Sequence, residues 1–244
     1  MASAYDFLAE WFEFLNDDCD YSKWSQYFIN GLRERGAGKR GLELGCGNGT
    51  FCRALAKAGY AMTGADISAP MLNRARDLAR KEGLNLEFVL SDAARLKVPE
   101  KFDFILSPND CFNYIPPEKL AAAFTHVARA LTKEGIFWFD VSSEYKLRQK
   151  VANNMFGDDR DDVTYIAFNT LRENRVETDV TLFVREGELF RRYDEQHVRY
   201  IHSGEAIDAA LRQAGFKQIT CEGHLGEKTE GSDRLNFICK KVSS

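Results

Sequence analysis

The sequence predicts an α/β fold: a mostly parallel sheet with helices on both faces, interrupted late in the chain by an antiparallel β-meander. Three observations carry that prediction. Short apolar strands alternate with helical patterns from residue 38 to 143, as parallel crossover units require. A glycine turn, Gly45-Cys46-Gly47-Asn48-Gly49, directly follows the first of these strands. Residues 163–201 then change to period-two alternation punctuated by turn residues.

Taken in order, residues 2–35 read as two helices. Phe7, Leu8, Trp11 and Leu15 share one apolar face, and Tyr21, Trp24, Phe28 and Leu32 share another at helical spacing. Gly41–Leu44 is a short apolar strand, Thr50–Ala58 an amphipathic helix stopped by Gly59, and Ala61–Asp66 a second strand. Ser68 is placed to cap the next helix, with Pro70 in its first turn. Strands follow near 86–90, 102–107 and 135–141, the last after a helix that starts at Pro116-Pro117 and ends near Gly135. Gly157–Asp162 reads as a solvated acidic loop. Val163–Leu171, Arg175–Arg185 and Glu188–Ile201 form the predicted meander, with Arg172-Glu173-Asn174 and Glu186-Gly187-Glu188 as its turns. Ser203 caps a helix ending at Gly215, and strands near Gln218–Glu222 and Leu235–Lys240 return the chain to the main sheet.

The glycine turn is where this pattern acquires chemistry. Without Cβ atoms, Gly45, Gly47 and Gly49 let the backbone turn sharply and bring its N–H groups against a ligand, while Thr50 opens the next helix. The βαβ unit sets this turn beside Asp66 at the carboxyl edge of the sheet, where a carboxylate accepts hydrogen bonds from both ribose hydroxyls of a nucleoside. The dinucleotide fingerprint would need a third glycine at position 50, which is Thr here. Glu43 is equally out of place in the apolar strand of a nicotinamide-binding fold, and it is better explained as a contact, direct or through water, for a cationic amine.

Glu43-Leu44-Gly45-Cys46-Gly47-Asn48-Gly49, with Ala65-Asp66-Ile67-Ser68 and Met71-Leu72, resembles the class I S-adenosylmethionine-dependent methyltransferases. Ser91-Asp92-Ala93 matches that family's adenine-contacting acidic position. Asp110-Cys111-Phe112-Asn113-Tyr114 resembles the Asp-x-x-Asn-Tyr signature of a subgroup that includes sugar N-methyltransferases and carries a late β insertion. The resemblance implies a Rossmann-like, doubly wound, seven-stranded sheet of order 3-2-1-4-5-7-6 spanning nearly the whole chain. It implies S-adenosyl-L-methionine as cofactor and S-adenosyl-L-homocysteine as product. It divides the chain into N-terminal helices covering the cofactor cleft (1–36), the methyltransferase domain (37–150 and 203–244) and an antiparallel insertion (151–202). The expected cofactor residues are Tyr21, Trp24, Glu43, Gly45, Cys46, Gly47, Asn48, Gly49, Asp66, Ile67, Met71, Asp92, Ala93 and Asn109. Several sugar N-methyltransferases have His after strand four and Tyr in the first helix, where the best matches here are Asn113 and Phe12.

For several of these residues the sequence leaves two readings open. Tyr21 and Trp24 match a Tyr-x-x-Trp of the relatives and either close over the methionine end as an aromatic lid or pack in the core. Asp92 contacts adenine or caps a helix over Ala93–Leu96. Asn113 and Tyr114 meet substrate or form a polar turn before Pro116. His197 and Arg199 lie on one face of the last meander strand, either over an acceptor or in solvent. Asn113, Tyr114, His197 and Arg199 are the catalytic candidates.

The whole chain limits the partners. A net charge of −4 and a pI near 5.7 lack the basic footprint of a protein that grips a phosphate backbone, so nucleic acid is not expected. Six cysteines without a CxxC pair or zinc-like spacing read as reduced thiols, and no metal is expected. The absence of a long apolar run or a signal pattern points to the cytoplasm and away from membranes. The expected activity is methyl transfer to a nitrogen or oxygen of a small-molecule acceptor by a monomer or homodimer. The alternatives are an RNA or protein acceptor, or a scaffold that binds adenosylmethionine without turnover.

Overall fold

The structure is a computed structural model that describes residues 7–17, 19–98 and 100–241. Seven strands form one sheet: β1 (Arg40–Leu44), β2 (Ala61–Asp66), β3 (Glu87–Leu90), β4 (Phe102–Ser107), β5 (Leu131–Ser142), β10 (Gln218–Glu222) and β11 (Arg234–Lys240). Their spatial order is β10-β11-β5-β4-β1-β2-β3, the order that the family resemblance implies. Strand β11 is reversed and pairs antiparallel with β10 and β5; the pairs among β1 to β5 are parallel.

Strand alternation builds a core on each face of this sheet. Along β5, Phe137 and Phe139 enter one layer with Phe112 and Phe124, whereas Ile136 and Trp138 enter the other with Phe28 and Phe104. Helix α2 (Tyr21–Glu34) lies against this second face. Its approach depends on Gly31, where a Cβ would fall 2.4 Å from the Trp138 ring. N-cap side chains set the starts of three helices. The Asp20 carboxylate accepts from the N–H of Lys23 for α2, Ser68 Oγ from that of Met71 for α4 (Ala69–Lys81), and Ser203 Oγ from that of Ala206 for α6 (Gly204–Gln213).

Two boundaries differ from the pattern-based expectation. Helix α5 (Pro117–Ala130) stops before Gly135, because β5 starts at Leu131 and slips register against β4 between Phe102 and Phe104. The expected Ala93–Leu96 helix is a single 3₁₀ turn, Ala93–Arg95, capped by Asp92.

Between β5 and α6 the chain makes a π-helical turn, Lys146–Val151, and then a four-stranded antiparallel sheet. Its strands are β6 (Met155–Asp159), β7 (Val163–Arg172), β8 (Arg175–Glu186) and β9 (Leu189–Tyr200). Strand β6 takes in Gly157, Asp158 and Asp159, residues expected in a loop. Its side chains are mostly exposed, so it carries no apolar alternation; backbone pairing with β7 defines it. Helix α1 (Leu8–Leu15) covers the inner face of this sheet, where Leu8, Trp11 and Leu15 pack with Val163, Ala167, Val180 and Leu182. Residues 2–6 of the first expected helix lie outside the described residues. Among the described residues no helix is long and apolar enough to cross a membrane.

Candidate functional site

Two cavities meet above the carboxyl ends of β1, β2 and β4. The first, about 430 Å³, is lined by Gly45, Cys46, Gly47 and Asn48 of the glycine turn and by Glu43, Asp66, Ile67, Met71, Asp92, Ala93 and Asn109. The turn exists because its backbone is left-handed at Gly45 (φ 73°), Gly47 (φ 51°) and Gly49 (φ 75°). Bulk matters differently at each. A Cβ at Gly45 would meet Cys111 Sγ at 2.5 Å and one at Gly49 the Phe88 ring at 3.0 Å, whereas one at Gly47 would meet only Met71 Sδ, at 4.0 Å. Gly47 is therefore the position whose missing side chain leaves the cavity open, and Gly49 does not line it.

The carboxylates beside the turn are already anchored. Leu42 and Leu44 face one core layer, so alternation turns Glu43 to the other side, where Oε2 accepts the Cys52 N–H at 2.7 Å. That N–H belongs to the first turn of α3 (Thr50–Lys57), so Glu43 caps the helix that follows the glycines. Burial pushes its carboxyl up to about 8, against the lowering effect of the Cys52 hydrogen bond. Asp66 accepts the N–H of Gly47 through Oδ2 and of Ser68 through Oδ1, both at 2.8 Å. Burial raises its carboxyl as well, while those backbone donors pull it down. Arg53 clamps the turn from below by donating to the Asn48 carbonyl at 2.6 Å. Asn48 Nδ2 is a buried donor with no hydrogen-bond partner, in a residue that lines the cavity.

The second cavity, about 630 Å³, lies between α1, the π-helical turn and strands β7 to β9. It shares Phe12, Tyr21, Asn109 and Tyr114 with the first. His197 and Arg199 both line it, so the last strand of the insertion faces a cavity and not bulk solvent at these positions. His197 is buried between two groups: Nδ1 lies 3.2 Å from Tyr114 Oη, and Nε2 lies 3.2 Å from Glu195 Oε2. The Glu195 carboxylate also accepts the N–H groups of Phe7 and Leu8, which ties the start of α1 to β9.

Asn109 and Asp110 adopt left-handed φ values of 62° and 53°. Their N–H groups donate to the two oxygens of Asp140 at 2.9 and 2.8 Å. Arg234 pairs with the same carboxylate and donates to Asn109 Oδ1 at 3.2 Å. Burial opposes ionisation of Asp110, but Arg234, Lys146 and Arg199 nearby hold its carboxyl below the usual range.

Not every expected residue reaches a cavity. Trp24 is absent from the first, unlike Tyr21; it packs on Phe28 and Phe51, edges the second cavity and holds the Arg234 guanidinium 4.7 Å above its ring. Asn113 lines neither. Its amide is used up by Ser142 N–H at 2.8 Å and by the carbonyls of Tyr200 and Ser142 at 2.9 and 3.4 Å, which fastens the turn to β5 and β9. Asp92 both lines the first cavity and caps the Ala93 turn through Ala94 N–H at 2.8 Å, so its two readings are compatible. Arg234, Asp140, Lys146 and Glu195 escaped the sequence reading, since nothing local marks a lone charged residue whose partner is far along the chain.

Residues 42–135 match a family model described as a methyltransferase domain. Over 243 residues the chain is 30% identical to "Putative methyltransferase YqeM" of Bacillus subtilis (strain 168), covering 97% of each protein. The crystal structure of a S-adenosylmethionine-dependent methyltransferase from Clostridium acetobutylicum ATCC 824 superposes with a TM-score of 0.89 at 29% identity, over 97% of this chain and 98% of that one. The sugar N-methyltransferase KedS8 from Streptoalloteichus sp ATCC 53650 shares the fold, with a TM-score of 0.84 at 16% identity over 100% of this chain and 96% of that one. Sheet order, glycine-turn cavity and these likenesses define a class of enzyme that transfers methyl groups from a nucleoside donor. The chain belongs to the S-adenosylmethionine-dependent methyltransferases, and S-adenosyl-L-methionine is its cofactor.

Proposed function

We propose that the protein methylates a nitrogen or oxygen of a small molecule, with the cofactor in the first cavity and the acceptor in the second. The observation that carries this reading is the set of residues common to both cavities, Phe12, Tyr21, Asn109 and Tyr114, since contents of the two would meet there. A cavity of about 630 Å³ is also of the size that takes a small metabolite.

Bound adenosylmethionine supplies a methyl group on a sulfonium, an electrophile that needs alignment more than activation. In this reading Glu43 meets the ammonium of the methionine end, and Asp66 accepts from the ribose hydroxyls with its remaining lone pairs. Asp92 and Ala93 border the adenine, and the orphaned Asn48 amide finds an acceptor on the cofactor. Tyr21 and Phe12 separate the reacting centre from water. An acceptor hydroxyl or ammonium must also lose a proton. Tyr114 is the group beside the junction with a route for it: Tyr114 Oη to His197 Nδ1, and His197 Nε2 to Glu195, each step 3.2 Å. A buried imidazole that gains a proton beside a carboxylate has its new charge offset on the spot. Tyr114 is the catalytic residue of this scheme; His197 and Glu195 position it and act through it.

The test is product formation. Purified protein with adenosylmethionine should release adenosylhomocysteine when given a low-molecular-mass cell extract, and not when given RNA or protein from the same cells. Release with the macromolecular fractions alone would transfer the assignment to those acceptors.

A further inference from the structure

The second cavity pairs its cations unevenly. Lys146, Arg160, Arg199 and Arg234 line it against Asp110 and Asp158. Two of the four cations are answered. Arg234 pairs with Asp140 and lies 3.6 Å from Asp110, and Arg160 is held by Asp17 at 2.8 Å and Asp158 at 2.7 Å. The other two feel Asp110 only at longer range and, among the described residues, form no ion pair with a carboxylate. Among the described residues Arg199 donates only to neutral oxygens, Thr178 Oγ1 at 3.2 Å and Asn169 Oδ1 at 3.4 Å. Among the described residues the Lys146 ammonium makes no hydrogen bond and no ion pair, although it lines the same cavity.

Their surroundings sharpen the imbalance. Burial depresses the Lys146 ammonium, and Arg234 and Arg199 depress it further by repulsion, with Asp110 and Asp233 only partly compensating. Lys146 stands at the start of the π-helical turn and Arg199 one pleat from His197 on β9, so two separate elements bring like charges to one cavity. Like charges held together and half removed from water are costly unless an anion completes the site. A cationic acceptor would add to this repulsion and to that of the sulfonium next door, and a neutral one would leave Lys146 unanswered.

Resting on the methyltransferase reading above, we propose that the acceptor carries an anionic group, a carboxylate or a phosphate, seated between Lys146 and Arg199 while its nucleophilic atom faces Tyr114. The anion anchors the acceptor; Tyr114, at the junction of the cavities, meets the atom to be methylated.

Calorimetric titration of the adenosylhomocysteine-saturated protein with inorganic phosphate, and separately with malonate, at constant ionic strength tests this. At least one anion should bind. Lys146→Met and Arg199→Gln should each weaken it about tenfold or more, the scale of one lost charge-assisted hydrogen bond, while Lys146→Arg largely retains it. Adenosylhomocysteine affinity should stay within about twofold in all three variants, since neither residue lines the first cavity, which also establishes that they fold. Binding of phosphate alone identifies a phosphorylated acceptor, and of malonate alone a carboxylate. If neither anion binds, or both neutralising substitutions leave anion affinity unchanged, the anionic acceptor is wrong although the cofactor assignment stands. Failure of the wild-type protein to take up adenosylhomocysteine would instead remove the reading on which the proposal rests.

Discussion

At the scale of single residues, Glu43 links the fold and the proposed chemistry most closely. Its carboxylate caps α3 through Cys52, and burial pushes its carboxyl up to about 8. The sign of the resulting linkage is fixed. A carboxyl raised in the folded state contributes stability at low pH that is lost as pH rises from its ordinary value of 4.5 toward 8. An ammonium placed beside it reverses the shift, so binding near neutrality releases a proton. Adenosylmethionine affinity should therefore rise as pH goes from about 6 to 8, by at most about tenfold per unit. Methylthioadenosine has the same nucleoside but no amino-acid end. The ribose contact of Asp66 is common to both ligands, and Glu43→Gln separates the share of their difference that belongs to Glu43 from that of the sulfonium charge. Calorimetry in buffers of different ionisation enthalpy should show extra proton release for adenosylmethionine alone, and Glu43→Gln should abolish it while weakening that ligand more. Equal proton release and equal losses would leave Glu43 as a helix cap and nothing else.

At the scale of elements, the turn from Asn109 to Tyr114 joins both cavities, and side chains from other strands hold it in shape. Two consecutive left-handed residues are held by the Asp140 carboxylate, which is itself paired with Arg234. Asp140→Asn replaces an oxygen acceptor with a donor and leaves Arg234 without its main counter-charge. Urea unfolding should then show a loss of about 3–5 kcal/mol, the range for breaking a buried pair. A loss below about 0.5 kcal/mol, typical of a surface change, would mean the turn is shaped by its own sequence. The sequence made one half of this arrangement legible. Periodicity located every strand of the main sheet, and glycine spacing located the first cavity, because both signals are local. Strand β6 was invisible, since an exposed edge strand has no buried face to impose alternation. The Asp140–Arg234 pair joins residues 94 apart and the Tyr114–His197 contact residues 83 apart, distances over which one sequence carries no pairing signal. Trp24 was ambiguous for another reason: an aromatic residue at helical spacing serves packing and ligand contact equally well, and here its ring carries the chain's own Arg234.

At the scale of the whole molecule, the two sheets divide the proposed labour. The seven-stranded sheet offers the glycine turn and its carboxylates at one edge, and the four-stranded insertion walls off the space beyond them with His197 and Arg199. Helix α1 ties the two together, packing Leu8, Trp11 and Leu15 on the insertion while Glu13 reaches Arg74 of α4 at 2.9 Å. Such a division means the cofactor site should function without an acceptor, and it concentrates the account on one claim: the glycine-turn cavity takes an adenosyl sulfonium and not a dinucleotide. Titration calorimetry with adenosylmethionine and with NAD, on the wild-type protein and on Gly47→Val and Asp66→Ala, tests that claim most directly. Adenosylmethionine should bind the wild-type protein, NAD should not, and each substitution should weaken adenosylmethionine at least about tenfold by filling the open cradle or removing the ribose acceptor. Adenosylmethionine affinity unchanged in both variants, or NAD binding as tightly as adenosylmethionine, would contradict it.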